Sequence, residues 1–204
     1  MVKKKLNNLD GKEWVKKTKS WFVLNPKSRS KNQLTHPAKF PEELVSRFVE
    51  YFTQEGGWVI DPFAGVASTC VASKSLDRSS VGIELDSEFV KIGKAELDNT
   101  KGTGLHAIIE GDSRDIAAVL ETHFGEEVPE FNFLITSPPY YNMLRKSRGG
   151  NETVHKERGD KGLKQFYGSS PSDLGNIESY DEYLESVGEV LDSVYPYMAN
   201  GAYL

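Results

Sequence analysis

Apolar and polar positions follow two rhythms along this chain: short continuous apolar runs, and longer stretches in which apolar residues recur at a helical spacing. Leu44, Val45, Phe48, Val49 and Phe52 share one helical face after Pro41-Glu42-Glu43, with the two glutamates near the positive end of the helix dipole and Gly56-Gly57 closing the element. Trp58-Val59-Ile60 reads as a short buried strand stopped by Asp61-Pro62, and a helix of small residues follows over 66–76. The unit repeats in kind. Residues 80–84 form a strand, and a helix opens at Ser87 as N-cap; 106–109 form a third strand, followed by a helix over 116–123. The most apolar strand, 131–136, runs into Ser137-Pro138-Pro139-Tyr140. No period holds over 141–174. A helix resumes at Tyr180 and continues through Val187, Leu191 and Val194, until Pro196 and Asn200-Gly201 close it and a new strand begins at Ala202.

Strands alternating with helices predict an α/β fold, a doubly wound and mostly parallel sheet whose ligands collect at the carboxyl ends of the strands. The length, 204 residues, fits one domain. No run reaches the roughly 18 apolar residues of a membrane span, and Met1-Val2-Lys3-Lys4-Lys5 leads into Leu6-Asn7-Asn8 and no apolar signal segment, so the expected location is cytoplasmic with no membrane partner.

Charge divides the chain. Residues 1–40 hold 11 Lys and Arg against 2 Asp and Glu, a net of +9, which leaves −14 for the remainder. Residues 1–34 therefore read as a basic arm able to contact phosphates, or as a solvated tail. The single cysteine, Cys70, lies in the apolar run Ser68-Thr69-Cys70-Val71-Ala72, which argues for a buried small residue and against the thiolate nucleophile that cytosine C5 methylation needs. The sequence clusters no metal ligands.

Two places carry chemistry. Gly65 stands where the first strand becomes a helix, the position at which a glycine lets backbone N–H groups approach a ligand. Glu84 ends the next strand 23 residues beyond Asp61, spaced like the acid that accepts ribose hydroxyls of a nucleoside cofactor. A dinucleotide fingerprint is absent, because positions 67 and 70 are Ala and Cys. In Ser137-Pro138-Pro139-Tyr140 the prolines remove two N–H donors and leave carbonyls free to accept from an exocyclic amine, and Tyr140 offers a face for stacking a base swung out of a duplex.

Motif by motif the chain resembles the DNA N4-cytosine and N6-adenine methyltransferases. His36-Pro37-Ala38-Lys39-Phe40-Pro41 is similar to their motif X, Asp61-Pro62-Phe63-Ala64-Gly65-Val66-Ala67-Ser68-Thr69 to motif I, and Gly82-Ile83-Glu84-Leu85-Asp86 to motif II. Gly111-Asp112-Ser113-Arg114-Asp115 resembles motif III, and Thr136-Ser137-Pro138-Pro139-Tyr140 motif IV. The resemblance implies S-adenosylmethionine as cofactor, with Phe63, Ala64 and Gly65 beside the methionine part, Ser68 near its carboxylate and Asp61 in the same turn. It places Glu84 and Leu85 at the ribose, Asp112 and Ser113 at the adenine, and Phe40 over the site. Ser137, Pro138, Pro139 and Tyr140 would be the catalytic residues, and the turn around Ala67, where the family usually has glycine, is expected to shift.

Double-stranded DNA is the implied substrate, in a restriction-modification setting. Ser137 tilts the target to cytosine N4, with adenine N6, an RNA base and a non-catalytic subunit as the alternatives. Residues 35–204 would be the catalytic domain, with the fourth strand beside the first; the irregular loop over 141–174, with seven Lys and Arg from 145 to 164 against three acids, reads as a phosphate-contacting flap or as a solvated loop. The family's seven-stranded sheet is expected to stop here after the start of its fifth strand, either because the sequence is a piece of a longer chain or because a second polypeptide supplies the rest.

Overall fold

The computed structural model describes residues 5–19, 21–25, 39–141, 170 and 172–204. His36, Pro37 and Ala38, and the lysines and arginines between 145 and 164 read as a flap, lie outside these.

Five strands form one parallel sheet: β1 (Trp58–Asp61), β2 (Ser79–Glu84), β3 (His106–Glu110), β4 (Phe131–Leu134) and β5 (Met198–Tyr203), in the order β3-β2-β1-β4-β5. The chain builds outward from β1 to β3, then returns to the other side of β1 for β4. That reversal makes the β1/β4 boundary a switch point, where a crevice opens at the strand ends.

Alternation along the central strands supplies both faces. Val59 and Phe133 pack on one side with Val45 and Val49 of α2 (Glu42–Phe52) and Ala72 of α3 (Ser68–Ser75). Ile60 and Leu134 pack on the other, with Ile116 and Leu120 of α5 (Ile116–Phe124) and Val194 of α6 (Tyr180–Val194). Helix α4 (Ser87–Asp98) is capped by Asp86, whose side chain accepts from the Glu88 N–H at 2.8 Å; the cap falls one residue earlier than the sequence reading placed it.

The fifth strand corrects a larger expectation. It begins at Met198, not Ala202, because the helix ends in a 3-10 turn at Tyr195–Tyr197 with Pro196 inside it, and Asn200-Gly201 lies within the strand. The whole six-residue element pairs with β4, from Phe131↔Met198 to Phe133↔Tyr203 across an irregular register, and forms the edge of the sheet.

The arm contains a helix that the sequence reading passed over, α1 (Gly11–Lys17). Asp10 and Glu13 form a capping box, with Glu13 N–H to Asp10 Oδ1 at 2.7 Å and Asp10 N–H to Glu13 Oε2 at 3.0 Å. The segment docks on α2: Asn7 Nδ2 donates to the Tyr51 carbonyl at 2.7 Å, Lys17 pairs with Glu50, and the Arg47 guanidinium lies 3.8 Å from the Phe22 ring centre. Among the described residues no helix is long and apolar enough to cross a membrane.

Candidate active site

The turn after β1 is built from buried backbone bonds. Asp61 Oδ1 accepts the Phe63 N–H at 3.1 Å, Ala64 N–H reaches the Ile83 carbonyl at 2.9 Å, and Gly65, at φ +53°, donates to Glu84 Oε2 at 2.8 Å. The turn therefore lies directly on the end of β2. Gly82 makes this contact possible, since a Cβ there would sit 2.7 Å from the Ala64 Cβ and 3.1 Å from Cys70 Sγ. Ala67 takes φ +66°, a left-handed conformation that costs a non-glycine residue about 1–2 kcal/mol. The substitution is thus absorbed as backbone strain at Ala67 itself. Its methyl group packs with Cys70, Val90, Leu97 and Ile108, on the α4 side.

A cavity of about 280 Å³ opens beside this turn, and all ten positions assigned to a cofactor from sequence, Phe40 through Ser113, border it. Glu84 holds its wall with both oxygens, Oε2 on Gly65 and Oε1 on the Asp86 N–H at 2.8 Å. Burial pushes its carboxyl up to about 7, against the opposing pull of the Asp86 and Gly65 N–H groups. Asp112 behaves in the opposite way. Burial works to raise it, but the Arg114 hydrogen bonds and charge outweigh burial and hold it below the ordinary carboxylate range, through Nη2 to Oδ2 at 2.6 Å and Nε to Oδ1 at 3.1 Å. Ser113 Oγ donates to the Pro62 carbonyl, and Ser68 Oγ to the Phe40 carbonyl at 3.0 Å, which fastens the segment before α2 over the cavity mouth.

The Ser137–Tyr140 segment joins the same space less completely. Ser137 and Pro139 border the cavity, whereas Pro138 and Tyr140 do not. Ser137 Oγ donates to Tyr140 Oη at 3.2 Å, and the Tyr140 side chain is 43% exposed. Tyr141 leaves the site and packs on Tyr180 and Tyr183 of α6, at ring-centre distances of 5.3 and 5.6 Å. Below the tetrad, Thr136 Oγ1 donates to Asp61 Oδ1 at 2.6 Å while Thr69 Oγ1 donates to Oδ2 at 2.5 Å. Cys70 is fully buried, and burial pushes its thiol up to about 12, where it is no nucleophile.

Residues 2–95 match the DNA methylase family of the N6/N4 type. The type II methyltransferase M2.DpnII of Streptococcus pneumoniae is 38% identical over 63 residues, 31% of this chain and 24% of that protein. The DNA adenine methyltransferase YhdJ of Escherichia coli K12 is also 38% identical over 63 residues, 31% of this chain and 21% of its own length. The solved structure of TTHA0409 from Thermus thermophilus with S-adenosyl-L-methionine is 30% identical over 35% of this chain and 30% of that one, with a TM-score of 0.32. Over residues 2–95 the chain is similar to the DNA N4-cytosine/N6-adenine methyltransferase family. The chain spans about a quarter of the length of the curated relatives it matches.

The family match runs from the arm through β1, β2 and most of α4, so it takes in the Asp61–Ala67 turn and Glu84 and ends before the tetrad. The N4/N6 methyltransferase motifs also leave part of the cavity wall unnamed. Lys39, its side chain 5% exposed and paired with Glu42 at 2.7 Å, borders the cavity, and so do Asp86 and Phe89. Ser170, Ser172, Asp173 and Leu174 close the far side. Asp173 caps a 3-10 turn through the Gly175 N–H at 2.9 Å, and the Asp-x-Gly spacing was a readable sign of that turn, though not of its place in the wall. Among the described residues no group of His, Cys, Asp and Glu could hold a metal ion.

Proposed function

We propose that this chain is the S-adenosylmethionine-binding and catalytic portion of a DNA methyltransferase that acts on the exocyclic amine of a flipped base, cytosine N4, in a restriction-modification setting. The observation that carries this reading is a cavity at the β1/β4 switch point whose wall includes Glu84, Ser137 and Pro139.

The residues fit the cofactor. Glu84 retains lone pairs beyond those used by Gly65 and Asp86, and can accept from ribose hydroxyls. In this reading Asp112 and Ser113 take the adenine end and Phe63, Gly65 and Ser68 the methionine end, under Phe40, all of them residues of the cavity wall. The Ala67 methyl group lies on the α4 side and takes no space from the cavity. S-adenosylmethionine, when bound, supplies a methyl group on a positively charged sulfur.

The tetrad residues then orient the acceptor. Ser137 Oγ and the Pro138 carbonyl accept from the two amine hydrogens, which directs the nitrogen lone pair, and Tyr140 stacks on the extruded base with its exposed face. In this reading residues 35–204 are the catalytic domain, and 1–34 form a basic arm toward the phosphates of double-stranded DNA. Adenine N6 is the second reading, favoured by the likeness to an adenine methyltransferase.

The test is incubation with tritium-labelled S-adenosylmethionine and duplex DNA or RNA, followed by digestion to nucleosides. Label in N4-methyldeoxycytidine is expected. Label in N6-methyldeoxyadenosine would move the target to adenine, label in RNA alone would overturn DNA as substrate, and bound cofactor without label in either would make the chain a binding subunit.

A further inference from the structure

The register of the sheet exposes an unusual junction. β1 and β4 pair at Val59↔Phe133 and Ile60↔Leu134, and the Ile135 N–H reaches the Ile60 carbonyl at 3.2 Å. Beyond that point the two chains diverge, β1 into the Asp61–Ala67 turn and β4 into the tetrad. The connection between them passes to side chains, through Thr136 Oγ1 and Asp61 Oδ1 at 2.6 Å. The same carboxylate, 3% exposed, holds the Phe63 N–H and the Thr69 hydroxyl at the start of α3.

One side chain thus touches the turn at the methionine end of the cavity, the helix behind it, and the residue before Ser137. A turn-forming aspartate needs only the Phe63 bond, and burying a carboxylate is costly unless several donors meet it. Three donors meet this one, and they come from three different segments. The bond to Thr136 spans 75 positions and serves no local turn.

We infer that Asp61 and Thr136 are positioning residues for methyl transfer: their hydrogen bond fixes the Ser137–Tyr140 segment relative to the Phe63–Gly65 wall, and so sets donor and acceptor in line. The inference rests on the proposed function for its consequence on rate, but its structural half stands apart. Displacement of a reacting group by about 1 Å costs roughly 100-fold in rate. Losing the Thr136 hydroxyl therefore acts on the transfer step, not on the cofactor cavity, which keeps Glu84 and Gly65.

Thr136→Val keeps the shape and removes the donor, while Thr136→Ser keeps the donor. Hydrogen exchange of the free protein comes first, at the Ile135 amide, which bonds the Ile60 carbonyl next to Thr136. Thr136→Val is expected to speed exchange there at least about tenfold and leave the β2 amides unchanged, with Thr136→Ser at wild-type rates. Single-turnover methyl transfer is expected to fall about 10- to 100-fold in Thr136→Val with cofactor Kd within about twofold, and to recover in Thr136→Ser. A Thr136→Val protein that melts earlier yet shows wild-type exchange at Ile135 overturns the inference, as does an unchanged transfer rate. Wild-type protein that transfers no methyl group to any nucleic acid defeats the proposed function, and the exchange comparison still decides the placement of the tetrad.

Discussion

The two halves of the site are made differently. The Asp61–Ala67 turn is buried, bonded by its backbone to β2 and Glu84, and it pays for its shape with a strained φ at Ala67. The Ser137–Tyr140 corner is half-exposed, rigid through its prolines, and anchored at its root through Thr136. A turn whose donors are already aimed needs little reorganisation to hold a ligand that is always the same. In the proposed function the corner admits a base from a duplex, which needs an open face, and Tyr140 is exposed. The contrast predicts that changes on the turn side alter binding and stability together, and that changes on the corner alter transfer alone.

The strongest break is expected at Glu84. Glu84→Ala removes the proposed acceptor for ribose hydroxyls and leaves the Gly65 and Asp86 N–H groups without their partner. Two hydrogen bonds to a charged group are worth about 1.5–3 kcal/mol each, so calorimetry should find cofactor affinity reduced at least about 100-fold, with a lower Tm. Unchanged affinity would remove Glu84 from the binding site.

Tyr140 should show the reverse pattern. Stacking on a base is worth about 1–3 kcal/mol, so Tyr140→Ala is expected to slow methyl transfer roughly 5- to 150-fold and leave Tm and cofactor Kd near wild type, while Tyr140→Phe keeps most of the rate. A large loss of Tm in Tyr140→Ala would mean that the ring supports the fold.

How much of this could be read from residues alone follows the range of the contacts. Asp61, Gly65 and Glu84 were legible because a strand end, a turn and an acid at a fixed offset are local signals. The Asp61–Thr136 bond was not, since it depends on β4 lying beside β1, and hydroxyls carry no periodic mark. The wall residues Ser170, Ser172, Asp173 and Leu174 escaped for the same reason, arriving from a stretch without pattern. Strand β5 was placed late because Asn200-Gly201 is ordinary turn chemistry, here tolerated within an edge strand of irregular register, with Gly201 at φ +80°. The capping box at Asp10 and Glu13 was legible, but it opens a helix of only seven residues with no buried face, so the apolar pattern gave no cue.

Acidity separates the halves more gently. Glu84, raised from 4.5 to about 7, contributes stability that is full below about 4.5 and is lost as pH rises through about 7; Asp61, raised mainly by burial, acts in the same direction. The Tm of the cofactor-free protein should therefore fall between about pH 5 and pH 8, and Glu84→Gln should flatten the curve. Affinity for S-adenosylhomocysteine should move the other way, rising up to about tenfold over the same interval as Glu84 ionises and becomes a pure acceptor. A Kd independent of pH would show that the ribose hydroxyls do not depend on this carboxylate.

The smallest effect is expected at Ala67, and it is the most discriminating for the turn. Glycine adopts φ +66° without the side-chain penalty, so Ala67→Gly relieves about 1 kcal/mol of strain in the folded state. It also loses a buried methyl group among Cys70, Val90 and Ile108, worth about 0.8 kcal/mol, and adds freedom to the unfolded chain. These contributions nearly cancel, so Tm should stay within a few degrees of wild type. Cofactor affinity should not change, because the methyl group points to the α4 side and away from the cavity. If Ala67→Gly instead tightened binding severalfold, the turn would be distorted by the alanine after all, and the buried half of the site would be less preorganised than its hydrogen bonds imply.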